Sequence, residues 1–196
     1  MKIITFNKLY SYGVEVRVHG NGFIQVDIPE TNLRLHVWPR ERLETQKVYT
    51  GIHNHKFGLK SKILCGKLIH TQFEGLVIAD NGDWQMYKTV PRESEDTGLV
   101  LASPFYFTLT NPQTFQMCAG SEYEFPAGKF HESRGEGLTA TLMQKTSVDE
   151  SIEVIVLCPK DKKPDNDFHR YQFDQKVLWN IIDDVFNQIG YIEIPE

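Results

Sequence analysis

Most of this chain alternates apolar and polar residues over short runs, and turn signals cut the runs apart. Val14, Val16 and Val18 alternate with Glu15 and Arg17, and His19-Gly20-Asn21-Gly22 then supplies a turn. Phe23 to Ile28 and Leu33 to Trp38 repeat the pattern on either side of Pro29-Glu30-Thr31-Asn32. Further strands are expected at Lys62 to Phe73, Trp84 to Val90, Leu99 to Leu109, Thr114 to Met117, Leu138 to Lys145 and Glu153 to Leu157. Asp80-Asn81-Gly82-Asp83 and Asn111-Pro112 fall between them as breakers. So many strands without intervening helices leave a sandwich or a barrel.

One segment departs from this period. Asp174 is placed to cap a helix whose apolar residues are Val177, Leu178, Ile181, Ile182, Val185 and Ile189, and Gly190 supplies its stop. The face so formed is expected to cover an open side or end of the parent sheet, with a homodimer through it as the alternative. A chain of 196 residues suits a single domain. It divides into N-terminal strands (1–44), a barrel core (45–158), and a loop, covering helix and short tail (159–196).

Bulk properties exclude several classes. The net charge is −5, and the short run Lys160, Lys162 and Lys163 is interleaved with Asp161, so no basic stripe exists for a nucleic acid. No run is long enough to span a membrane, and the opening MKIITFNKLY is too short for a secretory core. Cys65, Cys118 and Cys158 are too few and scattered for a disulfide framework, and none forms a CxxC pair. A cytoplasmic protein is the expectation, with Cys65 as a buried strand residue.

Two short motifs carry chemistry. Gly51-Ile52-His53-Asn54-His55 sets two imidazoles two residues apart. On a strand they share a face, about 7 Å apart at Cα, and can converge on one ion. By chance an HxH arises in roughly a quarter of chains with this much histidine. The second motif, Gly120 to His131, has the form G(x)5PxGxxH. Chance supplies it in roughly one or two chains per thousand. Pro126 and Gly128 make a tight turn there and aim His131 inward at the start of the next strand. If one ion joins the two motifs, their nitrogens should lie within about 3 to 4 Å of each other.

Together these motifs resemble the cupin superfamily, whose first motif is HxH followed by a carboxylate and a glycine, and whose second is the Gly-Pro-Gly-His turn. His53, His55 and Gly66 match the first, and Gly120 to His131 the second, over about residues 45 to 145. The resemblance implies a mostly β fold, a double-stranded β-helix (jelly-roll barrel) with one C-terminal α-helix. It also implies a divalent metal on His53, His55 and His131.

The departures narrow the reading. Where the family's glutamate should stand, this chain has Leu59 and Lys60; Lys47 replaces a glycine and Gly135 an asparagine. What remains is similar to the three-histidine face of thiol and diketone dioxygenases. That implies a non-haem Fe(II) dioxygenase acting on a small thiol or chelating acid, with zinc, manganese or nickel as alternatives to iron. A metal-dependent isomerase or lyase on a sugar or keto acid is the second class, and a non-catalytic small-molecule-binding module the third.

Lys60 and His70 are secondary candidates: Lys60 to neutralise a substrate carboxylate or else sit in solvent, His70 to support the site or else lie partly exposed on its strand. His19 and His169 fall in turn or loop contexts and are expected to be solvated. His36 should face away from Leu35 and Val37, and Glu132 away from the metal. Tyr123, Trp84 and Phe107 are candidates for the pocket wall or for the core.

Overall fold

The computed structural model describes residues 1–41, 43, 51–92, 95–164 and 169–194. The expected boundary at 44/45 and Lys47 lie outside them. In chain order the elements are β1 (Lys2–Ile4), α1 (Phe6–Ser11), β2 (Arg17–Val18), β3 (Ile24–Asp27), β4 (Leu33–Trp38), β5 (Ile52–His53), β6 (Phe57–Ile78), β7 (Trp84–Arg92), β8 (Glu95–Cys118), β9 (Glu122–Phe125), β10 (Phe130–Val148), β11 (Ile155–Pro159), α2 (Gln175–Ile189) and β12 (Ile192–Ile194). The chain is mostly β, as its alternation predicts.

The main sheet runs β2-β3-β4-β10-β5-β11-β7-β8-β6-β9, and an added pairing of β6 with β10 closes a circuit through β5, β11, β7 and β8. Two strands are longer than expected, β6 at 22 residues and β8 at 24. Asn111-Pro112 does not break β8. Asn111 takes a φ of 47° and the β6–β8 register shifts between Gln72 and Glu74, so the strand bends and continues.

The alternation of β3, β4 and β10 separates two environments. Ile24, Val26, Leu35, Val37, Ala140 and Leu142 belong to the largest apolar cluster, together with Leu178, Ile182 and Val185 of α2. The helix therefore lies on the outer face of the sheet. Those three α2 side chains are fully buried, each contributing about 1.5–3 kcal/mol. Trp179 and Phe186 are buried with them, whereas Val177 is 48% exposed. The helix face is thus turned from its expected centre, and it is occupied within the chain. Its caps are as expected: the Asp174 side chain accepts from Lys176 N at 2.8 Å, and Gly190 ends it with a φ of 76°.

Among the described residues there are two helices, where one was expected. Thr5 caps α1 by accepting from Lys8 N, Leu9 is fully buried, and Phe6 and Tyr10 pack on Trp179 at 6.0 and 5.1 Å between ring centroids. Six residues are too few to display a helical period, so tertiary packing decides the segment. The expectation of strands alone before residue 44 is corrected accordingly. β1 pairs with β12, which ties the two termini together.

Candidate metal centre

Inside the circuit of strands, His53 and His131 are register partners on antiparallel β5 and β10. On its other side β5 pairs with β11, where His53 faces Val156. β5 ends at His53, yet the chain beyond it stays beside β11. Asn54 is buried, donates its backbone N–H to Ile155 O at 3.1 Å, and accepts from Ile155 N at 2.6 Å through Oδ1. Its Nδ2 donates to Glu153 O at 3.1 Å. With Asn54 anchored outward, its neighbours His53 and His55 both turn inward.

The second motif is tied to the first through the backbone. Gly128 N–H donates to His55 O at 2.8 Å. The turn needs a φ of 80° at Gly128, and a Cβ there would stand 3.1 Å from Ile152 Cδ1. Gly66 is demanded still more strongly: its φ is 73° and a Cβ would lie 2.3 Å from Leu138 O.

His53, His55 and His131 come together with ligand-type nitrogens all within 4.8 Å of one another. That bound is wider than the 3 to 4 Å expected of donors sharing an ion. Ring centroids are 4.7 Å apart for His53–His55 and His53–His131, and 5.1 Å for His55–His131. Burial is the largest cause lowering all three below the ordinary imidazole value, with His55 and His131 pushed furthest. The imidazoles are neutral at physiological pH, the form that ligates metals.

The donor set fits a metal ion. Neither ring nitrogen of buried His131 has a hydrogen-bond partner among the described residues, a cost of about 1–3 kcal/mol per group, of which a bound ion would offset the one on the ligating nitrogen. His53 Nδ1 donates to Gly51 O at 2.9 Å, which leaves Nε2 as its ligand atom. Three imidazoles suit iron, zinc or nickel and do not select among them, whereas manganese prefers oxygen donors.

His70 is only 1% exposed, not partly exposed. Its ring lies 5.1 Å from that of His131, and its Nδ1 hydrogen-bonds Ser133 Oγ at 2.9 Å. Burial first, and then His53, lowers its pKa to about 4. Lys60, in contrast, is outside the site. It alternates outward on β6 and forms ion pairs with Glu122 at 3.3 Å and Glu124 at 3.9 Å, its side chain 46% exposed. The inward residue there is Leu59, which lines the cavity. An apolar side chain therefore stands on the inward face where the motif resemblance led to the expectation of a carboxylate.

The cavity in front of the histidines measures about 70 Å³. His19 and His36 line it too. The expectation that His19 is solvated is corrected: it stacks on Phe23 at 4.5 Å and its ring lies 6.1 Å from that of His53. His36 does face away from Leu35 and Val37, but the face it shares is the interior one, and burial lowers its pKa to about 3. Of the 7 histidines, all but exposed His169 gather around this space.

Tyr123 lines the cavity, and burial pushes its phenol up to about 12. Phe107 belongs to the core, and Trp84 packs beside it. Trp84 and Glu132 line a separate groove of about 500 Å³, so Glu132 does face away from the three histidines. Cys65 is a buried core residue. No helix among the described residues is long and apolar enough to cross a membrane.

Asn54, Ser133, Gln25 and Arg34 were missed in the sequence. The available signal was alternation: Ser133 lies two residues after His131, Arg34 two before His36, and Asn54 between the paired histidines.

No family model matches the chain, and no curated protein matches it. Among solved structures, a hydroquinone 1,2-dioxygenase from Sphingomonas sp. TTNP3 with 4-hydroxybenzoate bound is similar at a TM-score of 0.34 and 8% identity. The likeness covers 63% of this chain and 65% of that one. At that level it shows neither fold nor activity. What stands is a mostly β chain with a three-histidine group that could hold a metal ion.

Proposed function

We propose that this chain is a cupin-type metalloprotein holding one divalent ion through His53, His55 and His131. The closed circuit of strand pairings supports a double-stranded β-helix reading of the fold. The observation that carries the metal assignment is the meeting of the two motifs, with His131 lacking any protein partner for either nitrogen among the described residues.

The activity supported best is that of a non-haem Fe(II) dioxygenase acting on a small thiol or chelating acid. Bound iron would supply the redox chemistry that lets dioxygen react with an organic molecule. The chain's own part is binding and shielding. Three neutral imidazoles leave the ion its full charge, while Leu59, Phe57 and Met143 make one side of the wall apolar and limit water there. No Asp or Glu lines the cavity among the described residues, and Tyr123 stays protonated at neutral pH. For a metal-dependent isomerase or lyase the lining offers no carboxylate as general base, only the imidazoles of His19 and His36, whose burial lowers their basicity well below what such a base needs at neutral pH.

The test is oxygen uptake by protein reconstituted anaerobically with Fe(II), across small thiols and chelating acids. Uptake that requires both iron and one substrate class is the expected result. Uptake no faster than with metal-free protein for every compound would contradict the dioxygenase reading and leave the metal site to a binding role.

A further inference from the structure

The same cavity carries a second polar feature, at the end of β4 away from Trp38. Arg34 lines the wall, and its side chain is 26% exposed. It is held in place from two sides. Its Nε forms an ion pair with Asp27 Oδ1 at 2.7 Å. Gln25, 3% exposed, lays its side-chain amide against the same guanidinium groups; turned so that its oxygen faces these donors, it accepts from Arg34 Nε at 3.2 Å and Nη1 at 3.1 Å, and from Arg17 Nη2 at 3.0 Å. Among the described residues nothing hydrogen-bonds Arg34 Nη2.

Charge is not balanced there. Asp27 is shared, since Arg17 Nη2 also donates to it at 2.6 Å. Lys145 adds a third cation. It is the register partner of Leu59, two residues along β10 from the cavity-lining Met143, and its Nζ sits 4.7 Å from the Phe57 ring centroid. Phe57 in turn stacks on His55 at 4.7 Å. Three cations therefore surround one carboxylate, and of these four groups Arg34 lines the cavity that the three histidines also line. A partly desolvated arginine with a free N–H edge favours a carboxylate.

We propose that Arg34, oriented by Gln25 and Asp27 and joined by Lys145 at the rim, is an anion subsite, and that the ligand is a small chelating acid carrying a second, distal carboxylate. The chelating end meets the ion on His53, His55 and His131, and the distal carboxylate meets Arg34. This deepens the metal-centre reading and rests on it.

Co(II)-loaded protein tests it with three acids that share a 2-hydroxy acid head: lactate, which lacks the distal carboxylate, and malate and 2-hydroxyglutarate, which carry it at two lengths. Co(II) uptake is read first in its visible bands, and acid binding second as a change in them. At least one dicarboxylate should bind about tenfold or more tighter than lactate. Arg34→Gln should cut that ratio to within about threefold while lactate affinity is kept. Asp27→Asn, which removes the competing carboxylate, should raise the ratio, an effect that a purely structural Arg34 would not produce. A parent that takes up no Co(II) overturns the metal centre, and the subsite with it. Normal uptake with no preference over lactate overturns the subsite alone, as does a preference that survives Arg34→Gln. If Arg34→Gln fails to fold, Asp27→Asn decides, and an unchanged ratio rejects the proposal.

Discussion

Gly128 donates its backbone N–H to the carbonyl of His55 at 2.8 Å, so the turn that delivers His131 is fastened to the segment that carries the paired histidines. Two motifs more than 60 residues apart are thereby registered through the main chain, independently of any ion.

That bond makes the geometry of Gly128 a condition for the site. Its φ of 80° and the 3.1 Å approach of Ile152 both oppose a Cβ. Gly128→Ala should lose about 1–2 kcal/mol of stability in urea unfolding and also weaken metal binding. Gly137 has a similar φ of 66° with nothing near its Cβ position, so Gly137→Ala should cost stability by strain alone and leave metal affinity unchanged. Equal effects of the two substitutions on metal affinity would contradict the link.

Leu59 and Lys60 offer a paired test of which face of β6 sees the ion. Leu59→Glu places a carboxylate in the cavity and should tighten Co(II) binding by about tenfold, at some cost in stability from burying the acid. Lys60→Glu makes the larger charge change, a cation replaced by an anion, on the outer side beside Glu122 and Glu124, and should still leave the affinity within about twofold. Calorimetric titration of both variants decides it, and the reverse order would mean that the face is misassigned.

Acid should unfold the metal-free protein earlier than its carboxylates alone would. Burial holds His36 at about 3 and His70 at about 4, both below the ordinary imidazole value. As pH falls, the unfolded chain takes up protons first, so the stability is complete above about pH 6.5 and is lost on the way down toward those values. Each histidine should contribute a loss of about 2 kcal/mol between pH 6.5 and 5, where carboxylates are still mostly ionised. Urea midpoints at the two pH values measure it. His36→Gln should shrink the drop by that amount, and an undiminished drop would exclude His36.

Alternation made the β content, the order of most strands and the α2 caps legible in the sequence, because each rests on local pattern. The motif residues His53, His55 and His131 were legible for the same reason. What the sequence hid is the sense of the alternation. In β4, Leu35 and Val37 face the helix on the outside, while Arg34 and His36 face the interior. A polar stripe is ordinarily read as solvent-facing, and here it lines a cavity, so His19, Gln25, Arg34 and His36 were not seen as neighbours of the site. The choice between pocket and solvent for Lys60 could not be settled by counting residues from His55, because the count does not give the strand's face. α1 was invisible because its six residues are stabilised by Trp179 and Phe186, contacts far along the chain.

The central claim is that His53, His55 and His131 hold one divalent ion. It is tested most directly by elemental analysis of protein purified without a nickel column, comparing the parent with His131→Ala and confirming by circular dichroism that both are folded. The account predicts about one equivalent of metal per parent chain and less than about a tenth in the variant, with the β spectrum kept, because the fold does not depend on the ion. Equal metal content in the two proteins, or none in a folded parent that also fails to take up added Fe(II), Zn(II) or Co(II), would contradict it.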